Sequence, residues 1–269
     1  KGIPEAVCGL THKFPYGDLD ALKKLMRAHR GEFAAVIMEP MSSTEPPEGY
    51  LNEVAELARS EGALFILDEI ITGFRFALGG AQEMFGVTPD LACFGKSMAN
   101  GMPIAALAGK AEYMRRLEEL FFSFTFGGEA LSLAASKAVI DKMRSEPVID
   151  TLWSTGRDLS VAAGQAVDRH DLGDVMELTG MPPWRIWKFN EHAGADPNEI
   201  KTFFMIGMLS EGVLINASHN VCYAHGPQDV KLVAAAYDKV LGELSAALKA
   251  GDLKARLGGP AVRPVFSVR

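Results

Sequence analysis

Four ionisable side chains in the first half of the chain come directly after apolar runs. Glu39 follows "FAAVIM", the pair Asp68 and Glu69 follows "ALFIL", and Lys96 follows "LACFG". In open α/β sheets, ligands collect beyond the carboxyl ends of the strands, so we expect these side chains to share one site. A buried carboxylate needs a partner, and Arg75 is the nearest cationic residue along the chain. A bound cationic ligand is therefore a candidate partner for the acidic pair.

A lysine and an aspartate at neighbouring strand ends suit one particular chemistry. A desolvated lysine becomes a nucleophile that can form a Schiff base, which is the role predicted for Lys96. Asp68, one strand earlier, is placed to hold the cationic nitrogen of a heterocycle. Pyridoxal phosphate needs both groups, because the lysine bonds to its aldehyde and the carboxylate keeps its ring nitrogen protonated. The sequence therefore predicts a pyridoxal-phosphate site on these two residues.

The cofactor's phosphate needs hydroxyl and backbone N–H donors. The segment "SFTFGGEALSLAAS" supplies Thr125, two glycines that allow close backbone approach, and the N-terminus of a predicted helix. Simpler interpretations stay open at this point. An Asp-Glu pair after a strand is also typical of a helix cap or surface turn, and a lysine after glycine is usually solvated.

The first 145 residues alternate between predicted strands and helices. Short apolar runs predict the strands, helical spacing of apolar residues predicts the helices, and Asp18 is placed to cap the first helix. The predicted strands are residues 33–39, 63–69, 90–96 and 103–109, and the predicted helices are residues 19–31, 49–62 and 129–145. This pattern is typical of a parallel sheet covered on both faces. We therefore predict a large α/β domain over residues 1–145.

The pattern changes in residues 146–269, where short strands surround helices. The predicted strands are "VMELTG", "WRIWKF", "VLIN" and "VCYAH", and the last predicted helix spans residues 227–249. We predict a smaller α+β domain here. Within it, His219, Cys222 and His225 are three residues apart. On a strand this spacing places side chains on alternating faces, so we predict no metal site.

Composition excludes several classes of protein. The 269 residues carry a net charge of −7, which argues against a surface that binds nucleic acid or anionic membranes. No apolar run is long enough to span a bilayer. The three cysteines are scattered and odd in number, which favours a reducing compartment and predicts a cytoplasmic protein.

Several segments resemble the class III pyridoxal-phosphate aminotransferases. They are "VIMEP", "LFILDEIITGFR", "GGAQEMFGVTPDLACFGKSMANGMPIAALAG" and "TFGGEALSLAA", with a weaker continuation in "VLINASHNVCYAHGPQDV". The branch that contains glutamate-1-semialdehyde aminomutase is the most similar. The resemblance implies the aspartate-aminotransferase-like fold (fold type I), with a parallel-rich sheet in the large domain. It also implies that family members have a long segment upstream, so that residues 1–145 are an incomplete large domain.

The resemblance assigns roles residue by residue. Lys96 is the Schiff-base lysine and proton carrier, and Asp68 pairs with the ring nitrogen. Ile70 packs on one face of the ring, and Glu39 lies near the cofactor. Thr125 binds the phosphate of the neighbouring subunit's cofactor, which implies a homodimer with shared sites. The reaction moves an amino group between a small-molecule donor and a carbonyl acceptor.

Departures from the aminomutase pattern affect the expected reaction. Thr44 stands near the position where that branch has Asn, and "TFGGEA" replaces its usual continuation, although Ile71 is apolar as in that branch. Glu69 matches the motif without an assigned role. An aminotransferase is therefore favoured over an aminomutase, and a non-catalytic fragment without cofactor is the alternative from another class.

The predicted small domain also bears on the substrate. Related branches that act on ornithine and γ-aminobutyrate use an arginine there to bind a substrate carboxylate, and residues 190–226 contain none. We therefore expect the acceptor to be an aldehyde or ketone whose reacting carbon has no adjacent carboxylate.

Overall fold

The computed structural model describes residues 2–263. The chain divides between Glu146 and Pro147 into two compact units. Among the described residues, no helix combines the length and the apolar character needed to cross a membrane.

The first unit contains four strands and six helices among its described residues, together with short 3-10 helices at Lys96–Met98 and Arg115–Glu119. The strands are β1 (Ala35–Met38), β2 (Leu64–Asp68), β3 (Leu91–Phe94) and β4 (Ala106–Gly109). The helices are α1 (Glu5–Cys8), α2 (Leu19–Ala28), α3 (Tyr50–Ser60), α4 (Ala81–Met84), α5 (Ala111–Met114) and α6 (Ala130–Ser145). Asp18 caps α2 as predicted, because its carboxylate accepts a hydrogen bond from the Ala21 N–H at 2.8 Å.

The four strands form one sheet in the order β1-β2-β3-β4. β1, β2 and β3 are parallel, which confirms the parallel-rich sheet, whereas β4 pairs antiparallel to β3. The short connection between β3 and β4 explains this direction, because a parallel neighbour needs a crossover of a dozen or more residues.

Helices α2 and α3 cover one face of the sheet. Phe65 and Leu67 are fully buried on that face, and each contributes roughly 1.5–3 kcal/mol to folding. On the other face, Ile37 is 59% exposed and Leu107 is 43% exposed. The prediction that both faces are covered is therefore wrong for the described residues, since the alternating pattern leaves one face half-open.

Asp90 fixes the amino ends of β2 and β3. Its buried carboxylate accepts hydrogen bonds from the Phe65 N–H at 2.8 Å and from Arg59, and it lies 2.6 Å from Lys110 Nζ. Burial alone would raise the pKa of Asp90. The hydrogen bonds from Lys110 and Phe65 and the charge of Arg59 outweigh burial, so the pKa lies below its ordinary value.

The second unit packs its helices on a small antiparallel sheet of order β5-β6-β7. Its elements are α7 (Val148–Arg169), β5 (Met176–Met181), β6 (Trp184–Phe189), α8 (Pro197–Ser210), β7 (Ser218–Asn220), α9 (Pro227–Ala250) and α10 (Leu253–Leu257).

Two of the four strands predicted in this unit are wrong. "VLIN" and "VCYAH" are irregular, and the third strand is β7, between them. Val213 instead donates its N–H to the Met208 carbonyl at the end of α8, and His225 donates to the Cys222 carbonyl in a turn. Short apolar runs do not by themselves distinguish strands from the ends of helices and turns.

His219 lies in the core of the second unit. It is 5% exposed, hydrogen-bonds the Tyr237 hydroxyl through Nε2, and meets Trp187 edge to face at a centroid distance of 6.2 Å. Burial, with a smaller effect of the Arg185 charge, lowers the pKa of His219 to about 4. The described residues contain no group of three or more metal-binding side chains.

We predict that the second unit loses stability in mild acid. His219 has a pKa of about 4 when folded, compared with about 6.5 in an unfolded chain. The contribution of His219 to the free energy of unfolding is fully present above pH 6.5. It falls by about 3 kcal/mol in total as the pH decreases toward 4. Urea unfolding followed by tryptophan fluorescence measures this slope.

Substitution of His219 tests the cause of the acid effect. His219→Phe removes the titrating group and should flatten the slope between pH 6.5 and 4. His192→Gln removes an exposed histidine of the same unit and should leave the slope unchanged. An equal slope in all three proteins would show that His219 is not responsible.

Candidate active site

The parallel register brings the carboxyl ends of three strands to one edge of the sheet. Met38 pairs with Leu67, so Glu39 and Asp68 are the next residues of adjacent strands. Asp68 pairs in turn with Cys93 of β3, and Lys96 follows three residues later. Adjacent strands are about 4.8 Å apart, which places these groups within electrostatic range of one another. The predicted convergence of Glu39, Asp68 and Lys96 is therefore present.

Asp68 is held by its own chain at the end of β2. Its side chain is half-buried, and Oδ1 accepts a hydrogen bond from the Ile70 N–H at 3.0 Å. This local hydrogen bond orients the carboxylate at the strand end. Burial and the nearby charge of Asp68 raise the pKa of the Cys93 thiol on the adjacent strand.

Lys96 begins a tight turn directly after the buried Gly95. Its backbone has a positive φ of 41°, a conformation that is uncommon for residues other than glycine and that clusters at functional sites. The side chain is exposed, so the described residues do not provide the desolvation that we expected around this lysine. A Cβ placed on Gly95 would lie 3.6 Å from Ile70 Cγ2, which shows that Ile70 packs directly beside the residue before Lys96.

The pKa of Glu39 depends on the charges at this edge of the sheet. Burial raises the pKa of Glu39, the negative charge of Asp68 raises it further, and the positive charge of Lys96 lowers it. Three strand ends thus contribute to one titrating group. The three side chains form a single charged cluster with one cation and two acids.

Glu69 differs from its neighbour Asp68, because it is fully buried. Its carboxylate accepts hydrogen bonds from the Thr72 hydroxyl at 2.5 Å and from the N–H groups of Ala81 and Gln82 at 2.9 and 2.7 Å. Backbone and hydroxyl donors therefore satisfy this acid, which sequence reasoning left without a role. Two of these donors belong to α4, a short helix that the sequence patterns did not predict.

The predicted phosphate segment is only partly as expected. Thr125 lies in an exposed turn before α6. The N-terminus of α6 is not free for a phosphate, because Leu131 and Ser132 donate their N–H groups to the Glu129 carboxylate at 2.7 and 2.8 Å. That part of the prediction is wrong, since an acidic N-cap occupies these donors and repels an anion.

A surface cavity of about 660 Å³ lies between residues 103–105 and the segment 122–133. The Ile104 carbonyl on its wall is 3.7 Å from a Cβ built on Gly95, so the cavity adjoins the turn that carries Lys96. A second cavity, of about 440 Å³, lies between α2 and β1 and is lined mainly by apolar side chains. The first cavity thus lies beside the turn that carries Lys96, and the second includes Met38, the residue before Glu39, in its lining.

The chain matches the family described as Aminotransferase class-III over residues 11–248. It is 33% identical over 252 residues to 3-aminobutyryl-CoA aminotransferase from Cloacimonas acidaminovorans, covering 90% of this chain and 60% of that protein. It is 36% identical over 233 residues to glutamate-1-semialdehyde 2,1-aminomutase from Acidobacterium capsulatum, covering 81% and 54%. The chain thus spans 54–60% of the length of these two relatives.

The fold also matches that of a solved structure. The FumI protein of Sphingopyxis sp. MTA144, in its PLP internal aldimine form, superposes with a TM-score of 0.85 at 26% identity. The match covers 95% of this chain and 61% of that one. It confirms the predicted α/β fold of the pyridoxal-phosphate transferases.

We predict that the pKa of Glu39 responds in opposite directions to changes at its two charged neighbours. Asp68→Asn removes a negative charge and should lower the pKa of Glu39 toward its ordinary value. Lys96→Ala removes a positive charge and should raise it further. Carbon-13 NMR of the Glu39 carboxyl group as a function of pH measures both shifts.

An exposed charge elsewhere in the first unit provides the control for this titration. Glu83→Gln removes a carboxylate from α4 and should leave the Glu39 titration unchanged. A Glu39 pKa that is the same in all of these variants would show that the three strand ends do not interact.

Proposed function

The chain belongs to the class III aminotransferase family, and on that premise we propose that the whole protein is a pyridoxal-phosphate-dependent aminotransferase. The observation that carries this proposal is the convergence of Glu39, Asp68 and Lys96 at one edge of the sheet. We further propose that Lys96 bears the cofactor and that residues 1–145 are the cofactor-binding domain, with residues 146–269 as the smaller domain.

The side chains at the sheet edge fit this cofactor. Pyridoxal phosphate, when bound, supplies an aldehyde that links to a lysine and a ring that draws electrons from the substrate carbon. Asp68, with one oxygen already held by the Ile70 N–H, is placed to keep a ring nitrogen protonated. Lys96, in the turn that follows the next strand, supplies an exposed primary amine. The adjoining cavity leaves room for a small ligand.

The chain's own groups divide the chemical work. Lys96 Nζ would accept a proton from the substrate carbon and deliver it to the cofactor. This is general acid–base catalysis by a flexible amine. The Asp68 carboxylate holds a positive charge in place beside the reaction. Ile70 provides an apolar surface next to Gly95, which excludes water from one side. Glu39 is a second acid beside Asp68 and Lys96, and its pKa depends on the charges of both.

The substrates are proposed from the residues of the second unit. Residues 190–226 contain no arginine to bind a carboxylate beside the reacting carbon. We therefore propose an acceptor that is an aldehyde or a ketone without an adjacent carboxylate. One relative is named for the substrate 3-aminobutyryl-CoA, in which the amino group is on the third carbon of the acyl chain. This name supports an acceptor of the proposed kind.

A homodimer with shared sites is proposed from the surroundings of Thr125. Phe122, Phe124 and Phe126 are each more than half exposed, and Phe121 is 99% exposed. Contiguous exposed aromatic side chains are typical of interaction surfaces. Burial of this segment by a second copy would carry Thr125 into the partner's site, where its hydroxyl could bind the phosphate.

An intramolecular amino transfer is the second candidate. It is supported by the relatives named glutamate-1-semialdehyde 2,1-aminomutase, one of them 36% identical to this chain. Turnover that needs no added keto acid would favour it over an aminotransferase. Absence of cofactor uptake by the whole protein would favour a non-catalytic role instead.

The cysteines support a reducing environment. Cys8, Cys93 and Cys222 are all free thiols. Structural disulfides are common in oxidising compartments and rare in the cytosol. We therefore propose that the protein works in the cytoplasm.

We predict that borohydride treatment of the protein with pyridoxal phosphate labels Lys96. Borohydride converts the link between lysine and cofactor to a stable amine, and peptide mapping locates it on "FGKSMANG". Lys96→Ala should lower turnover by roughly three decades or more, because it removes the covalent link and the proton carrier together. Lys24→Ala, which removes an exposed lysine of α2, is the control and should leave turnover unchanged. A label on any lysine other than Lys96 would refute the assignment.

Mixing of two variants tests the shared site. Lys96→Ala and Thr125→Ala subunits are each expected to be impaired alone. In a mixed dimer one site carries both defects and the other carries neither. Equal mixing makes about half of the dimers mixed, and each has one intact site, so activity should recover to about one quarter of wild type. Activity that equals the mean of the two separate variants would contradict a shared site.

A further inference from the structure

Glu69 connects three segments of the first unit. Its carboxylate accepts hydrogen bonds from the Thr72 hydroxyl and from the first two N–H groups of α4, at Ala81 and Gln82. Its own N–H donates to the Cys93 carbonyl of β3 at 2.9 Å. One fully buried residue therefore joins the end of β2, the adjacent strand and both ends of the segment 70–80.

The neighbouring glycines show how closely the chain packs around this residue. A Cβ on Gly80 would lie 2.7 Å from Glu69 Oε2, and one on Gly73 would lie 2.7 Å from the Glu69 carbonyl oxygen. Real Cβ atoms do not approach so closely, so both positions need glycine. Gly80 also has a positive φ of 85°, which favours glycine for a second reason. The segment is thus built around the carboxylate.

The segment that Glu69 holds begins with the residue that orients Asp68. The Ile70 N–H donates to Asp68 Oδ1 at 3.0 Å, and the Ile70 side chain packs beside Gly95. Movement of residues 70–80 would therefore displace both the hydrogen bond on Asp68 and the apolar surface beside Lys96.

We propose that Glu69 is a positioning residue that keeps Asp68 and Ile70 in place for the cofactor ring. This inference rests on the proposed function. Three donors converge on two oxygens, and hydrogen bonds to a carboxylate are stronger than those between neutral groups. A glutamine cannot replace it, because its amide has a single acceptor oxygen and directs an NH₂ group toward a backbone N–H.

The test compares the full-length protein with its Glu69→Gln variant in pyridoxal-phosphate binding. The apparent dissociation constant should rise by roughly tenfold, the effect of one lost charge-assisted hydrogen bond. The pH at which the bound cofactor changes its visible absorbance should also move upward. With Asp68 less well held, the ring nitrogen retains its proton less firmly, and its positive charge no longer lowers the proton affinity at Lys96.

Two matched controls separate positioning from stability. Asp90→Asn removes the other buried carboxylate of the same strands, at their amino ends, where it pairs with Arg59 and Lys110. It should lower the melting temperature without moving the absorbance transition. Glu83→Gln removes an exposed acid of α4 that accepts only from the Gly79 N–H among its described hydrogen bonds, and it should change neither quantity.

If Glu69→Gln does not fold, Thr72→Val provides the test instead. It removes one donor from the Glu69 carboxylate and should shift the absorbance transition in the same direction by a smaller amount. A wild-type protein that takes up no cofactor overturns the proposed function and this inference with it. If the wild-type protein binds cofactor and the variants at positions 69 and 72 change absorbance at the same pH as wild type, only the positioning role is overturned.

Discussion

The in-register parallel pairing of β1, β2 and β3 is the constraint on which the site depends. Because side chains alternate between faces along a strand, a slip of one residue would turn Asp68 to the opposite side of the sheet. Burial of Phe65 and Leu67 against α2 and α3 opposes such a slip, since these side chains would then enter water. The hydrophobic core thereby sets the position of polar side chains that do not belong to it.

The two ends of these strands stabilise acids in different ways. At the amino ends, Asp90 is buried among cationic partners, Arg59 and Lys110. At the carboxyl ends, Glu69 is satisfied by neutral donors, while Asp68 stays half-buried with an amide on one oxygen. A fixed cation at Asp68 would compete with a ligand, whereas an amide orients the carboxylate and leaves it able to bind a positive group. The difference fits a structural role at one end and a binding role at the other.

The second unit follows a separate physical logic. Its core is built from aromatic side chains around His219, Tyr237 and Trp187, whose polar atoms are buried with the rings. Burial raises the pKa of Tyr237 and lowers that of His219, so both groups are held in their neutral forms. This cluster is predicted to make the unit sensitive to acid. The predicted acid sensitivity and the proposed cofactor site therefore involve different ionisable groups.

The sequence by itself determined those features that depend on local patterns. Apolar runs located β1, β2 and β3, and the Asp18 cap located the start of α2, because burial period and capping act over a few residues. The order of acid and lysine after successive strands was enough to predict the charged edge. The resemblance to class III aminotransferases followed from contiguous motifs, and the family match confirmed it.

Only the tertiary structure decided which donors each acid meets. Glu69 and Glu129 are both acids beside helix starts, but the first is buried by a segment that returns to it after twelve residues, and the second caps its own helix. The third strand of the second unit is β7 rather than "VLIN", and its pairing with β6, about thirty residues earlier in the chain, decided this. Hydrogen bonds between distant segments form only once the core has brought those segments together, and for that reason local sequence patterns do not predict them.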